Sequence, residues 1–142
     1  MTINFPQKGV HDNKPTPKIL YDIITKQLKF TDVCLDKNKF NAVVKTWPDK
    51  SYCNPPFSKK KLFVLRAIAS NRINHSEVLL YLPFDSTVSW FRALYDSNVL
   101  IMIFMKRMWH AKFPHALFHL KNYSQTQVVL LKDERDVLKY LR

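Results

Sequence analysis

Two uninterrupted apolar segments of strand length constrain the fold of this chain most strongly. They occupy residues 78–82 and 99–105. A strand that is apolar along its whole length is buried on both faces, which is typical of a parallel sheet covered by helices on both sides. Segments with helical spacing of apolar residues alternate with these strands, at residues 16–29, 59–71 and 86–95. The sequence therefore predicts an α/β fold with a mostly parallel sheet and helices on both faces.

The order of the predicted elements fits a single domain of residues 16–142 that follows an irregular N-terminal arm of residues 1–15. Thr16 is predicted as the N-cap of the first helix, with Pro17 at its first helical position. The remaining predicted elements are strands at 30–35 and 51–53, a weak helix or loop at 36–46, a C-terminal antiparallel hairpin of 116–120 with 126–131, and a terminal helix at 133–141.

The charge of the chain indicates the class of its partner. Lys and Arg total 23 against 11 Asp and Glu, which gives a formal net charge of +12. Such a surface attracts polyanions by neutralising phosphates and releasing counterions, so we expect a nucleic acid. The chain has a single glycine, Gly9, which excludes a Gly-rich phosphate-binding loop.

Cysteine usage and targeting signals indicate the compartment. Cys34 and Cys53 lie in apolar, strand-like contexts and are predicted to be buried free thiols in a reducing compartment. No apolar run approaches the roughly 18 residues that a membrane span needs. Residues 1–15 lack a charged-then-apolar signal pattern. We therefore expect a soluble, intracellular protein of the cytoplasm, or of the host cytoplasm if the protein is viral.

No spacing of Cys or His suggests a metal site.

The tetrapeptide Asn54-Pro55-Pro56-Phe57 is the strongest candidate for chemistry. It follows the predicted strand at 51–53. In open α/β sheets, ligands bind at the carboxyl ends of the strands. Asp32, Asn54 and Pro83 all fall at or near such ends.

The residue types of this tetrapeptide can bind an exocyclic amino group on a planar ring. The nitrogen of such a group is a poor nucleophile because its lone pair is delocalised into the ring. The Asn54 side-chain oxygen and the Pro55 carbonyl can accept hydrogen bonds from both N–H groups and direct the lone pair at a methyl donor. Phe57 can stack on the base, a contact worth about 1–3 kcal/mol. Since such an amino group is inaccessible inside a duplex, the base must be flipped out or already unpaired.

At these residues the chain resembles the amino-group methyltransferases that use S-adenosylmethionine and carry the motif [DNS]-PP-[YFW]. Over a longer stretch it resembles the small phage-type (Dam-like) DNA adenine-N6 methyltransferases. The ordered landmarks are Thr16-Pro17, residues 30–34 (FTDVC), Trp47, residues 52–58 (YCNPPFS), residues 80–83 (LYLP) and Arg107. The resemblance implies a compact Rossmann-like methyltransferase fold, S-adenosylmethionine as cofactor and methyl transfer to adenine in DNA.

The resemblance also implies three groups of site residues. The catalytic group is Asn54, Pro55, Pro56 and Phe57. The residues near the cofactor are Thr16, Pro17 and Asp32. The nucleic-acid-binding group is Ser58, Lys59, Lys60, Lys61 and Arg107.

Two alternatives remain open from the sequence. Leu35 and Lys106 stand where the family pattern has Ala and Gly, which is compatible with a catalytically inactive, methyltransferase-like protein that binds nucleic acid. The same amino-group chemistry also suits adenine in RNA.

Overall fold

The computed structural model describes residues 15–34, 46–106 and 113–142. Within these ranges the strands are β1 Thr31–Asp32, β2 Lys50–Cys53, β3 Glu77–Pro83, β4 Leu100–Phe104, β5 His115–Leu120 and β6 Gln127–Leu131. The α-helices are α1 Lys18–Asp22, α2 Lys60–Asn74, α3 Ser89–Tyr95 and α4 Leu138–Leu141. A π-helical turn, Ile23–Gln27, extends α1, and 3₁₀ turns at Phe57–Lys59 and Glu134–Val137 precede α2 and α4. The predicted arm, apart from Pro15, and most of the segment at 36–46 lie outside these ranges.

The strands form one sheet in the order β1-β2-β3-β5-β4-β6. The pairs β1–β2, β2–β3 and β4–β6 are parallel, whereas β5 pairs antiparallel with both β3 and β4. Five strands therefore run in one direction and β5 in the other. The predicted mostly parallel sheet is confirmed.

The predicted C-terminal hairpin is wrong, because β4 lies between β5 and β6. β4 is the apolar strand predicted at 99–105, and it is paired on both edges. The connection from β5 to β6 passes the start of β4, where the Thr126 hydroxyl accepts a hydrogen bond from the Val99 N–H at 3.0 Å and donates one to the Tyr95 carbonyl at 2.5 Å. Strand β6 thus occupies the edge of the sheet, and β4 is enclosed.

Two apolar cores confirm that helices cover both faces. Alternate residues of one strand point to opposite faces, so Leu79 and Leu80 of β3 belong to different cores. The core beside α2 and α3 contains Phe63, Ala67, Trp90 and Leu94, and the core beside α1 contains Leu20 and Ile24.

The start of the first helix differs from the prediction. Pro17, with φ −52° and ψ 139°, is the N-cap residue, and no side chain caps the helix. The prediction of Thr16 as the N-cap and Pro17 as the first helical residue is therefore wrong, because the Thr16 hydroxyl makes hydrogen bonds elsewhere. The helix predicted from residue 86 begins at Ser89.

Cys34 and Cys53 form a disulfide, so the prediction of free thiols is wrong. Cys34 lies just beyond β1, and Cys53 is the last residue of β2, the neighbouring parallel strand. This arrangement brings their Cα atoms to 5.2 Å, although 19 positions separate them in the sequence. The inference of a reducing compartment, which rested on free thiols, loses its basis.

Neither a membrane-spanning helix nor a metal-binding cluster occurs in the part of the chain that the structure describes. None of the helices there combines the length and the apolar character that crossing a bilayer requires. In the same ranges, no three or more His, Cys, Asp or Glu side chains are grouped so that they could hold a metal ion.

Candidate active site

The carboxyl ends of β1, β2 and β3 meet at one edge of the sheet. Asp32 ends β1, Asn54 directly follows β2, and Pro83 ends β3. The strands are parallel neighbours, with Asp32 in register with Tyr52. The structure therefore brings two of the predicted site residues, Asp32 and Asn54, to adjacent strand ends, where α/β folds bind ligands.

The Asn-Pro-Pro-Phe corner combines a buried support with an exposed ring. Pro55 and Pro56 are buried, Asn54 is half-buried, and the Phe57 side chain is 60% exposed. Pro56 is extended (φ −55°, ψ 138°), and the chain then turns into the 3₁₀ segment, with the Lys59 N–H donating to the Pro56 carbonyl at 3.0 Å. The proline rings restrict the backbone, so the corner holds a fixed shape.

Thr16 orients the Asn54 amide. The Asn54 Nδ2 donates to Thr16 Oγ1 at 3.3 Å, and the same hydroxyl hydrogen-bonds to the Tyr52 hydroxyl. Tyr52 is fully buried, and this burial raises its pKa well above the ordinary value, so the phenol stays protonated. Because the amide nitrogen is held at Thr16, the position of the amide oxygen on the opposite branch is fixed as well.

Replacing Thr16 with valine should disturb both the site and the fold. The buried Tyr52 hydroxyl would lose its partner, which costs about 1–3 kcal/mol of the free energy of unfolding. The Asn54 amide would lose its anchor, and the methyl transfer that the resemblance in sequence implies should fall about 5- to 10-fold. Thermal unfolding and a transfer assay measure the two effects. Thr16→Ser, which retains the hydroxyl, is the matched control and should remain close to wild type; equal losses in both variants would contradict this role.

Both carboxylate oxygens of Asp32 accept hydrogen bonds. The Tyr21 hydroxyl donates to Oδ2 at 2.8 Å, and the Cys34 N–H donates to Oδ1 at 2.9 Å. Burial, and secondarily the bond to Asp32, raises the pKa of Tyr21 to about 12. The Tyr21 ring also packs edge-on against the Tyr52 ring, with 6.2 Å between centroids. Asp32 therefore fixes the turn that follows β1 and carries Cys34.

The predicted nucleic-acid-binding residues that the structure describes surround the start of α2. Ser58 and Lys61 are exposed, and Lys59 and Lys60 are half-buried. The first turn of α2 contains no acidic residue, so three positive charges meet the positive end of the helix dipole. An anion at this place would relieve the repulsion. Arg107, the fifth member of this group, lies outside the described residues.

A cavity of about 240 Å³ lies at the same edge of the sheet, on the face covered by α1. Its lining combines apolar and aromatic groups with charged ones, namely Pro17, Leu20, Tyr81, Phe104, Lys106, Lys132, Asp133 and Glu134. Pro17, which lines the cavity, directly follows Thr16, and the Thr16 hydroxyl accepts the hydrogen bond from Asn54. Sequence reasoning missed this cavity, together with the supporting tyrosines Tyr21 and Tyr52, because the lining residues are scattered along the chain and form no local pattern.

One family model matches most of the chain. Residues 6–134 match the family model described as DNA N-6-adenine-methyltransferase (Dam). No curated protein and no solved structure matches the chain. The matched span covers well over half of the 142 residues and includes the Asn-Pro-Pro-Phe corner, Thr16 and Asp32. The resemblance seen in the sequence is confirmed, and the chain belongs to the DNA N-6-adenine-methyltransferase (Dam) family.

Proposed function

We propose that this chain transfers the methyl group of S-adenosylmethionine to the exocyclic amino group of adenine in DNA. Family membership supports the adenine and DNA parts of the proposal. The observation that carries the chemistry is the Asn54 amide, held by Thr16 at 3.3 Å beside the exposed ring of Phe57. The oriented amide of Asn54 and the exposed ring of Phe57 both lie at the end of β2.

The residues of the corner act by positioning. The Asn54 side-chain oxygen and the Pro55 carbonyl accept hydrogen bonds from the two N–H groups of the amino nitrogen. Its lone pair then leaves conjugation with the ring and points at the methyl donor. Phe57 stacks on the extruded base and fixes its plane. Holding reactants in the attack geometry lowers the barrier without a general base of shifted pKa. The donor would supply the methyl group with cleavage of its S–C bond and would leave as S-adenosylhomocysteine, and the proton displaced from the nitrogen would pass to water.

The residues at the strand ends fit the cofactor that the family implies. S-adenosylmethionine supplies an electrophilic methyl group on a positively charged sulfur. Asp32 is half-exposed, and each of its carboxylate oxygens accepts one hydrogen bond and can accept another. The negative charge of this carboxylate complements a cationic ligand. Pro17 lines the cavity, and the Thr16 hydroxyl bonds to Tyr52, whose ring packs against that of Tyr21. We therefore assign Thr16, Pro17 and Asp32 to the cofactor side of the site.

The fold is compatible with this assignment. The sheet has five strands in one direction and one opposed strand, with helices on both faces, and the site lies at the carboxyl ends. We propose that residues 16–142 form a single Rossmann-like methyltransferase domain. Elements from α1 to α4 contribute to its two cores or pack against them.

DNA binding is assigned to the basic start of α2. Replacing Lys59, Lys60 and Lys61 together with glutamine should lower the salt dependence of DNA binding. Each lost phosphate contact reduces the slope of log K against log [salt] by about 0.7–0.9. For three lost contacts we expect a reduction of about 2–3 when binding is titrated over a range of salt concentrations, for example by fluorescence anisotropy.

The control removes the same total charge elsewhere. Lys26, Lys121 and Lys139 are exposed and distant in sequence from the corner. Their joint replacement with glutamine should change the slope less than the α2 variant does. An equal change in both triple variants would show that the overall charge, rather than this site, governs binding.

A second candidate function is a catalytically inactive protein that binds nucleic acid on the same fold. The observation that favours it is Lys106, which lines the cavity where the family pattern has glycine. Calorimetry with S-adenosylmethionine separates the two functions. Binding of the cofactor, followed by label transfer to DNA of mixed sequence, supports the enzyme. DNA binding without cofactor binding supports the inactive protein, and transfer to RNA but not DNA would identify the other substrate.

A further inference from the structure

Phe57 is an exposed residue whose ring carries no polar group. Its side chain is 60% exposed, and a phenyl ring, unlike a phenol or an indole, cannot be anchored by a hydrogen bond. If a base is to stack on this ring, another contact must fix the orientation of the ring. The Lys60 Nζ lies 3.6 Å from the centroid of the Phe57 ring, within the range of a cation–π contact.

The local backbone explains this contact. Phe57 begins the 3₁₀ turn Phe57–Lys59, and Lys60 begins α2 directly after it. In a 3₁₀ turn, residues three apart eclipse each other, so the side chain at position 60 comes to lie over the side chain at position 57. Lys61, one residue further, points about 100° away around the helix and is exposed.

Phe57 keeps open surface despite this contact. With the ammonium group over one face of the ring, the residue is still 60% exposed. From this geometry we propose that Lys60 is a positioning residue that braces the Phe57 ring from behind, so that its open face is preorganised for the extruded adenine. This inference rests on the proposed function, in which Phe57 stacks on the target base.

The expected size of the effect follows from the contact. A cation–π pair at an exposed site is worth about 0.5–1 kcal/mol, which corresponds to about a two- to fivefold change in affinity. The brace acts on stacking itself. Its loss should therefore weaken binding of an uncharged adenine nucleoside, which has no phosphate for a lysine to contact.

The test compares Lys60→Met, Lys60→Arg and Lys121→Met in the full chain by titrating each with adenosine and following the dissociation constant by NMR. We expect about two- to fivefold weaker binding for Lys60→Met. Lys60→Arg, which retains a cation able to stack on an aromatic face, should remain close to wild type. Lys121→Met removes the same charge from an exposed position outside the site and should bind adenosine as the wild type does. Unchanged or tighter binding by Lys60→Met would overturn the proposal, and tighter binding would mean that Lys60 covers the stacking face.

A second measurement reports the contact independently of any ligand. Ring currents should shift the ε-methylene protons of Lys60 upfield in the free protein, and Phe57→Leu should abolish the shift. Absence of the shift in the wild type would overturn the brace. If the shift is present but the wild type neither binds adenosine nor methylates DNA, the proposed function fails, and the role assigned to the brace fails with it.

Discussion

Replacing Asn54 with alanine should lower methyl transfer about 10²- to 10³-fold, the loss typical when one preorganised hydrogen-bonding group is removed from an active site. The side-chain oxygen that we propose to accept from the adenine amino group would be gone, and the lone pair of that nitrogen would no longer be directed at the donor. Transfer of a labelled methyl group from S-adenosylmethionine to DNA measures the effect. Activity near that of the wild type would contradict the assigned mechanism.

The fold should survive this substitution. Asn54 is half-buried, and its loss leaves the hydrogen bond between Thr16 and the buried Tyr52 hydroxyl in place. Thermal unfolding should therefore shift little. Asn54→Asp, which retains an acceptor oxygen but, when ionised, cannot donate to Thr16, should keep more activity than the alanine variant. Asn122→Ala, at an exposed position in the loop between β5 and β6, is the matched control and should leave transfer unchanged.

Reducing the disulfide between Cys34 and Cys53 should lower the free energy of unfolding by about 3 kcal/mol. A disulfide that closes a loop of this length, with a separation of 19 positions, restricts the unfolded chain by about that amount. Both cysteines are buried, and they join the end of β2 to the turn that follows β1. Urea unfolding of the wild type with and without a dithiol reductant measures the difference in midpoint and in free energy.

The double variant Cys34→Ala with Cys53→Ala provides the control for this measurement. It should be less stable than the oxidised wild type, and its midpoint should not respond to the reductant. A wild-type midpoint that is the same with and without reductant would contradict a stabilising disulfide. Because Asn54 directly follows Cys53, we also expect the reduced protein to lose some transfer activity.

The parts of the fold that the sequence predicted depend on local patterns. The apolar runs at 78–82 and 99–105 mark strands buried on both faces, and they correspond to β3 and β4. The Asn54–Phe57 corner was predictable because two prolines and a strand end leave few backbone arrangements. The structure places the corner at the carboxyl edge, as expected for a parallel sheet.

The parts that sequence reasoning missed depend on long-range pairing. Turn residues between β5 and β6 indicated a hairpin, but they carry no information about β4, which inserts between these strands. The pairing of Cys34 with Cys53 depends on the register of β1 and β2. A role as helix N-cap was enough to account for Thr16 in the sequence. Only the tertiary structure shows its hydroxyl bonded to Tyr52 and Asn54.

The identity of the methylated product tests the central claim most directly. DNA of mixed sequence, incubated with the protein and S-adenosylmethionine and then digested to nucleosides, is analysed by mass spectrometry. The account predicts N6-methyl-2′-deoxyadenosine with the wild type and its near absence with Asn54→Ala. Unmodified adenine in DNA treated with wild-type protein that binds the cofactor, or methylation of a different base, would contradict it.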